Sequence, residues 1–386
     1  MRHVFRVLVV LVIISLSPVM GLSQKAPKED AKYYNSLGLE NIKKGQFDQA
    51  VNNLNKAIKL KKDFASAYNN RGYAYYNKRN FDKAISDYNQ AIKLNPKFAV
   101  AYSNRGLTYL AQGKFDKALE DYNKAIKINP KLVVAYNYRG LIYFHQKAYD
   151  KAMADYNKAL EIDPKFVLAY NNRGYTYYLL GSTDKAISDF NKVITLDPKL
   201  VIAYNNRGLA YYDKNELDKA LADYNQAIKM NQKFAGAYNK RGLILYDKKD
   251  YNKAIADYNK AIKLQPNNHI FWNNRGLAYF QQKAYSKALP DFNNAVKLEP
   301  KYANAYNNRG LIYFHQKNIG KAIADFNKAI QLNPNLAVAY NNRAQAYFQK
   351  KDYAKAKEDV QQAQKLKFPV DKELTEKLKK ESAKKK

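Results

Sequence analysis

Two consecutive stretches of 34 residues decide the fold: residues 65–98, ASAYNNRGYAYYNKRNFDKAISDYNQAIKLNPKF, and residues 99–132, AVAYSNRGLTYLAQGKFDKALEDYNKAIKINPKL. They share Tyr, Arg, Gly and Tyr at positions 4, 7, 8 and 11, and Ala, Tyr, Ala and Pro at positions 20, 24, 27 and 32. The arginine recurs at the same spacing as Arg71, Arg105, Arg139, Arg173, Arg207, Arg241, Arg275, Arg309 and Arg343. A fixed period of this length indicates a tandem array of similar structural repeats.

Each period contains two amphipathic helices. Positions 4, 8 and 11 lie on one face of a first helix, and positions 20, 24 and 27 lie on one face of a second, because residues three and four apart share a side. Pro at position 32 ends the second helix. One such hairpin buries too little apolar area to offset its loss of chain entropy, so its stability must come from stacking on neighbouring hairpins.

This pattern resembles the tetratricopeptide repeat family, in which each repeat is a helix, a tight turn and a second antiparallel helix. The resemblance covers residues 31–370 as ten repeats, numbered here from residue 31. It implies an all-α fold, a right-handed superhelical solenoid whose first helices line a concave groove. We expect a signal peptide at residues 1–23, a linker at 24–30, the array at 31–370, and a polar capping helix with a basic tail at 371–386.

The N-terminal residues have the pattern of an export signal. Arg2 and Arg6 precede an apolar run over residues 7–16, and Ser23 offers a processing site. The run is short for a helix that crosses about 30 Å of hydrocarbon, which favours cleavage over a permanent membrane anchor. We expect an exported protein, periplasmic or secreted, that is held at a membrane only if this segment stays uncleaved.

The composition argues against an enzyme. The chain has no Cys and four His, which excludes disulfides, thiol nucleophiles and zinc sites with thiolate ligands. His145 and His315 occupy the same position in near-copies of one segment, which indicates duplication rather than a catalytic or metal site. No Gly-rich phosphate loop is present. We expect no catalytic residue, no metal ion and no cofactor.

A pair of charges recurs in nearly every repeat. The family usually has Leu at position 7, yet nine repeats here have Arg there, and the same nine have Asp at position 23. Repeat 1 loses both together, with Leu37 and Asn53. This joint change predicts ion pairs within a repeat or across neighbouring repeats, with a structural role rather than a role in ligand binding. Among the predicted pairs are Arg71 with Asp87, Arg207 with Asp223, and Arg309 with Asp325.

The resemblance also implies a binding surface, since positions 2, 5, 6, 9, 12 and 13 of the first helix face a bound segment in this family. We call these positions the groove face. Position 6 is Asn in seven repeats, as Asn70, Asn104, Asn172, Asn206, Asn274, Asn308 and Asn342. In relatives with a similar Asn ladder the amides grip the backbone of an extended peptide, since a carboxamide both donates and accepts hydrogen bonds. Aromatic side chains at position 12, such as Tyr178, Tyr212 and Phe280, add apolar contact. The alternative is that the amides hydrogen-bond between neighbouring first helices.

Most of the positive charge lies elsewhere. Lys and Arg number 67 against 34 Asp and Glu, a formal net charge of +33. Lys recurs at position 19 of the second helix from Lys83 to Lys355, on the side that the family places outside the groove. This is typical of a solvated face that keeps a long array soluble. The alternative is a surface that holds an anionic polymer or a membrane; export disfavours nucleic acid as the partner.

These observations predict a non-enzymatic protein-interaction scaffold that binds an extended peptide or a partner helix in its groove. Two other functions stay open. One is an envelope protein that binds an anionic polymer or membrane surface through its Lys-rich convex face. The other is an accessory subunit of a secretion or assembly complex.

Overall fold

The computed structural model describes residues 29–383, and these form ten helix-turn-helix repeats, one further helix and no β-strand. The first helices are α1 (Ala31–Lys43), α3 (Ala65–Asn77), α5 (Ala99–Ala111), α7 (Val133–His145), α9 (Val167–Leu179), α11 (Val201–Asp213), α13 (Ala235–Asp247), α15 (His269–Gln281), α17 (Ala303–His315) and α19 (Ala337–Gln349). The second helices are α2 (Phe47–Leu60), α4 (Phe81–Leu94), α6 (Phe115–Ile128), α8 (Tyr149–Ile162), α10 (Thr183–Leu196), α12 (Leu217–Met230), α14 (Tyr251–Leu264), α16 (Tyr285–Leu298), α18 (Ile319–Leu332) and α20 (Tyr353–Lys365). Helix α21 (Lys372–Ala383) follows the tenth repeat. The predicted all-α class and tandem hairpins are confirmed.

The chain divides into two compact units after Asp197. The first contains α1–α10 and the second contains α11–α21. Within each unit, a second helix packs against its own first helix and against the first helix of the next repeat, and consecutive first helices also touch. Every hairpin therefore buries its apolar face with the help of a neighbour, as a 34-residue repeat requires.

A left-handed residue at position 15 ends each first helix. Its φ lies between 57° and 75° in all ten repeats, of which three have Gly and seven have Lys, Arg or Asn at this position. In repeat 8, the N–H of Lys283 donates to the C=O of Phe280, and the N–H of Ala284 donates to the C=O of Tyr279. This pair of hydrogen bonds satisfies the last carbonyl groups of the helix and reverses the chain.

The turn between repeats uses a side chain at position 31. In repeat 2, Oδ1 of Asn95 accepts from the N–H of Lys97 at 3.1 Å, and the C=O of Asn95 accepts from the N–H of Phe98 at 3.0 Å. Pro96 lies between them and cannot continue the helix, because it lacks an N–H. The turn thus begins the next first helix at a fixed register.

Small residues bring the two helices of a repeat close together. Ala at positions 20 and 27 is buried, and so is the aromatic ring at position 24, for example Tyr258 and Phe292. A Cβ atom at Gly242, position 8 of repeat 7, would lie 2.7 Å from Cε1 of Tyr258, closer than van der Waals contact allows. Repeat 10 instead combines Ala344 with the smaller Val360, and both lie in one cluster. In repeat 10 a larger residue at position 8 thus accompanies a smaller residue at position 24.

We predict that Gly242→Ala lowers the free energy of unfolding by about 1–3 kcal/mol, because the added methyl group overpacks the contact with Tyr258. Adding Tyr258→Val reproduces the combination of repeat 10 and relieves the clash. Gly320→Ala is the matched control, since a Cβ atom there would meet nothing within 4 Å in α18. This control should gain roughly 0.5–1 kcal/mol from helix propensity. Chemical denaturation followed by circular dichroism measures all three variants; an unaffected Gly242→Ala would contradict the packing argument.

Helix α21 covers the apolar end of repeat 10. Leu374 and Leu378 are buried in a cluster with Ala344, Ala356 and Val360. The predicted signal peptide, most of the linker and the last three lysines lie outside the described residues. Of the helices in residues 29–383, none is long and apolar enough to cross a membrane.

Candidate functional site

Each arginine at position 7 makes a bidentate ion pair with the aspartate at position 23 of its own repeat. In repeat 8, Nε of Arg275 donates to Oδ2 of Asp291 at 2.8 Å, and Nη2 donates to Oδ1 at 2.6 Å. The three pairs named from the sequence have the same geometry, with closest distances of 2.7 Å for Arg71–Asp87, 2.6 Å for Arg207–Asp223 and 2.7 Å for Arg309–Asp325. The pairs lie within repeats, between the first and second helices.

The third nitrogen of the guanidinium, Nη1, bonds to the preceding repeat. Nη1 of Arg275 donates to Oδ1 of Asn259, at position 25 of repeat 7, at a distance of 2.6 Å. The same bond joins Arg71 to Asn55 and Arg343 to Asn327. The arginine therefore bonds its own repeat to the previous one, and we call this arrangement the Arg–Asp–Asn clamp.

The asparagine of the clamp is a residue that the sequence analysis missed, although the sequence contains the signal. Asn occupies position 25 in repeats 1–9, and repeat 10 alone has another residue, Gln361. Repeat 1 keeps Asn55 although it has neither Arg nor Asp, because Asn55 serves Arg71 of repeat 2. Repeat 10 needs no Asn, because no repeat follows it. The pattern is complete only when positions are compared across neighbouring repeats.

Burial makes the clamp sensitive to the loss of one partner. The side chain of Asp291 is 3% exposed, and that of Arg275 is 18% exposed. Burial raises the pKa of the Asp291 carboxyl, and the hydrogen bond from Arg275 opposes that shift. A carboxylate in this position is costly unless its cationic partner is present.

We predict that Arg275→Leu alone lowers the free energy of unfolding by about 3 kcal/mol or more, because Asp291 is left buried without a counter-charge. Adding Asp291→Asn recreates the Leu and Asn of repeat 1 and should recover much of the loss. A double-mutant cycle by urea denaturation measures the coupling. Purely additive effects of the two substitutions would contradict the structural role.

The asparagines at position 6 are bonded to one another through those at position 5. In the second unit, Nδ2 of Asn342 donates to Oδ1 of Asn307 at 2.9 Å, and Nδ2 of Asn307 donates to Oδ1 of Asn308 at 3.2 Å. Asn308 and Asn274 continue the same pattern to Asn273 and Asn239 at 2.9 Å. In the first unit the equivalent bonds join Asn104 to Asn69, Asn70 to Asn35, and Asn172 to Asn137. These amides link neighbouring first helices, which was the alternative to peptide binding.

Exposure limits which of these amides a ligand could reach. Asn206, Asn274 and Asn342 are buried, whereas Asn70, Asn104, Asn172 and Asn308 are half-buried. A carboxamide has two N–H donors and two acceptor lone pairs. Asn308 gives one donor to Asn273 and one acceptor to Asn307, so half of its capacity remains. A peptide could therefore reach the four half-buried amides more readily than the three buried ones, and peptide binding by these asparagines stays a prediction.

We call the hydrogen-bonded asparagines at positions 5 and 6 the amide ladder. Between repeats 2 and 10, repeats 4 and 7 lack its asparagine at position 6. Position 6 of repeat 4 is Tyr138, which is buried and stacks on Tyr122 with ring centroids 6.1 Å apart. Nδ2 of the neighbouring Asn137 consequently lacks a hydrogen-bond partner. Position 6 of repeat 7 is Lys240. Burial lowers the pKa of its ammonium group, and the nearby charge of Asp213 offsets only part of that shift. The face is therefore not uniform along the array.

The aromatic residues predicted at position 12 have neighbours of different kinds. The hydroxyl of Tyr212 donates to Oδ2 of Asp247 at 2.6 Å, and burial together with this bond raises the pKa of Tyr212 to about 12. The ring of Phe280 lies 5.3 Å from that of His315. Tyr178 lies 6.0 Å from Tyr175 of its own helix.

The lysines at position 19 lie over tyrosine rings at position 11. In repeat 8, Nζ of Lys287 is 5.8 Å from the ring centroid of Tyr279, and in repeat 10 Nζ of Lys355 is 5.6 Å from that of Tyr347. Such cation–π contacts at exposed sites contribute about 0.5–1 kcal/mol each. The row is separate from the groove face, because positions 4, 7 and 11 lie on another side of the first helix.

The histidines have structural neighbours of their own. His145 stacks on Phe115, and His315 stacks on Tyr285. Burial lowers the pKa of both, which keeps them neutral near pH 7. Within residues 29–383, no group of three or more metal-binding side chains is assembled.

Family models match most of the array. The model described as a TPR repeat matches residues 38–78, 140–181, 174–214, 208–249, 242–283 and 276–317, which is more than half of the chain. Models described as the tetratricopeptide repeat match residues 65–98, 99–132 and 303–336, and residues 326–358. The chain belongs to the tetratricopeptide repeat family.

Solved structures with the same fold are only distantly related in sequence. A tetratricopeptide repeat protein from Parabacteroides merdae ATCC 43184 is 24% identical, with a TM-score of 0.50 over 64% of this chain and 98% of that chain. The Cut9–Hcn1 hetero-tetramer of the APC/C is 16% identical, with a TM-score of 0.52 over 92% of this chain and 97% of that chain. No curated protein matches the sequence. The similarity at this level concerns the fold alone.

Proposed function

We propose that this chain is a non-enzymatic protein-interaction scaffold that holds an extended segment of a partner on the groove face of its second compact unit. The observation that carries the proposal is the segregation of charge. Of the thirty groove-face positions in repeats 6–10, Asp213, Lys240 and Asp247 alone are charged, in a chain with a net charge of +33. In so basic a protein, a surface that contacts only solvent does not have to be uncharged. The centre of an interface with a partner, in contrast, is depleted in charged residues.

The face offers apolar contacts and amides side by side. Position 9 is Leu in repeats 6–9, as Leu209, Leu243, Leu277 and Leu311, and position 12 is Tyr or Phe. Position 2 adds Ile270, whose exposure of 41% is among the largest of the apolar residues. Half-buried Asn308, with its rotamer fixed by Asn273 and Asn307, supplies a preorganised donor and acceptor. Such a surface suits an extended peptide with apolar side chains.

The three charged residues would set the register of that peptide. Asp213 and Asp247 occupy position 13 of repeats 6 and 7, and Lys240 occupies position 6 of repeat 7. Since the pKa of Lys240 is lowered by burial, its ammonium is held in a costly environment that a ligand carboxylate or carbonyl would improve. The remaining positions are similar from repeat to repeat, so this cluster is where a ligand would distinguish one repeat from the next.

We predict that peptides selected from a displayed random library on the full chain bind at high salt and lose about tenfold or more of their affinity in Ile270→Glu/Asn304→Glu. Both substitutions lie at exposed position 2 of consecutive repeats, in the first helical turn where a carboxylate is tolerated. The control is Lys287→Gln/Lys321→Gln, which changes the net charge equally at position 19 of the same repeats. Calorimetry measures affinity, and circular dichroism verifies the fold of both variants.

The lysine row supports a second candidate, the binding of an anionic polymer or membrane surface. Position 19 is Lys in nine repeats, and eight of these lysines lie over a tyrosine ring at 5.4–5.8 Å. Binding that disappears at high salt, weakens in the lysine variant and is unchanged in the groove variant would favour this function over the first.

Co-purification with other proteins at a fixed stoichiometry, unaffected by either variant, would favour a third function, that of an accessory subunit of a larger complex.

Export remains part of the proposal, because the sequence of residues 1–23 has the pattern of an export signal. We predict that the protein isolated from its native source begins near Gln24, after cleavage at Ser23. Intact mass spectrometry and N-terminal sequencing of the protein from the envelope fraction measure this. A full-length chain in the membrane fraction would instead support the anchored form, and a full-length chain in the cytosol would contradict export.

A further inference from the structure

Among repeats 2–10, which all have Lys at position 19, one repeat departs from the others at the position that this lysine covers. Position 11 is Tyr in repeats 2–6 and 8–10, as Tyr75, Tyr109, Tyr143, Tyr177, Tyr211, Tyr279, Tyr313 and Tyr347. In repeat 7 it is Leu245. The residues around it keep their identities, since repeat 7 has Arg241 at position 7, Lys253 at position 19 and Asp257 at position 23.

In repeats 6, 8 and 10 the tyrosine ring is in cation–π contact with both the arginine and the lysine of its own repeat. The centroid of Tyr279 is 5.9 Å from Cζ of Arg275 and 5.8 Å from Nζ of Lys287. The corresponding distances for Tyr347 in repeat 10 are 5.8 and 5.6 Å, and those for Tyr211 in repeat 6 are 5.8 and 5.4 Å. In three repeats of the second unit, the group that contacts both cations is therefore a tyrosine ring.

In repeat 7 the same place is a depression of about 430 Å³, largely open to solvent, where α12, α13 and α14 meet. Leu221, Leu245 and Ala256 contribute its apolar lining, and Arg241 and Lys253 flank it. The volume lies within the range of pockets that hold small organic groups. Arg241 remains fixed by the clamp, with Nη2 2.6 Å from Asp257 and Nη1 2.8 Å from Asn225. Repeat 7 thus keeps the arginine in the same hydrogen bonds as its neighbours and lacks only the aromatic ring.

We infer that this pocket accepts an aromatic side chain from a segment of a partner protein. The ring would contact both Arg241 and Lys253, as the chain's own tyrosines contact the equivalent cations in repeats 6, 8 and 10, with an attraction of the cation–π kind. A neutral ring suits the site better than an anion, because both cations are already balanced: Arg241 by Asp257, and Lys253 by Asp250 at 2.8 Å. The pocket lies on a different side of α13 from the groove face, so it is a second contact point that does not depend on the proposed groove function.

The test uses acetylated and amidated pentapeptides Gly-Gly-X-Gly-Gly, with Phe, Tyr, Trp, Leu or Asp as X, titrated into the full chain and followed by NMR. We expect the aromatic peptides to bind with a dissociation constant on the order of millimolar, ahead of Leu and Asp. Leu245→Tyr gives repeat 7 the residue of its neighbours and should remove this binding while preserving the helical circular dichroism. Tyr279→Leu opens the equivalent place in repeat 8 and should add a second site.

Four results would overturn the inference. Wild-type protein that binds no aromatic peptide, or Leu245→Tyr that binds as well as wild type, would mean that the pocket is not a recognition site. Preference for the Asp peptide would mean that the cations, not the ring geometry, govern binding. Self-association of wild type that Leu245→Tyr abolishes would assign the pocket to a second copy of this chain instead of a different partner. None of these results bears on the groove face, which the variant at Ile270 and Asn304 tests separately.

Discussion

The contact between Gly at position 8 and the ring at position 24 is the constraint on which the rest of the array depends. It sets the distance between the two helices of a repeat, since even one added carbon at Gly242 or Gly310 would lie 2.7 Å from the facing ring. Because the two helices lie close together, the short turn at position 15 can connect them. This turn fixes which faces of the hairpin remain to pack against the neighbouring repeats. Repeat 10 has Ala344 and Val360 at these two positions, so a larger residue at position 8 is matched there by a smaller one at position 24.

Apolar stacking alone would tolerate small slips between repeats, and the polar bonds remove that freedom. The Arg–Asp–Asn clamp joins three helices with directional bonds, because a planar guanidinium must satisfy a carboxylate and an amide in one geometry. The amide ladder makes a second set of links between first helices, on another side of them. Buried ion pairs of this kind add little net stability over apolar packing, and we interpret their role as fixing register. Near-identical repeats need this, since one hydrophobic face would accept another in more than one alignment.

The sequence was sufficient for the parts of the fold that follow from periodicity. The 34-residue period and the positions of Gly, Ala and Pro predict the hairpins, and the joint loss of Arg and Asp in repeat 1 predicts that positions 7 and 23 meet. It was insufficient for the amides, because a period gives the position of Asn308 on its helix but not whether Asn273, 35 residues earlier, comes within 2.9 Å of it. The role of Asn259 was overlooked for a different reason: it bonds to an arginine of the following repeat, so the pattern is visible only when positions are compared across neighbouring repeats. The pocket in repeat 7 needed the structure as well: Leu245 is visible as an exception, but its consequence depends on the space that a ring occupies elsewhere.

In a repetitive array, recognition at a defined place has to come from residues that break the repetition. A ligand bound only through Leu at position 9 and Asn at position 6 could shift by one repeat at little cost in free energy, because the next repeat offers the same groups. Repeat 7 differs on two sides of one helix: Lys240 replaces Asn on the groove face, and Leu245 replaces Tyr on the side of the clamp. Asp213 and Asp247 flank the first exception, and the pocket marks the second. Helix α13 is therefore the element of the second unit best able to place a partner in one register, and a partner that used both sides would gain from their fixed separation on a single rigid helix.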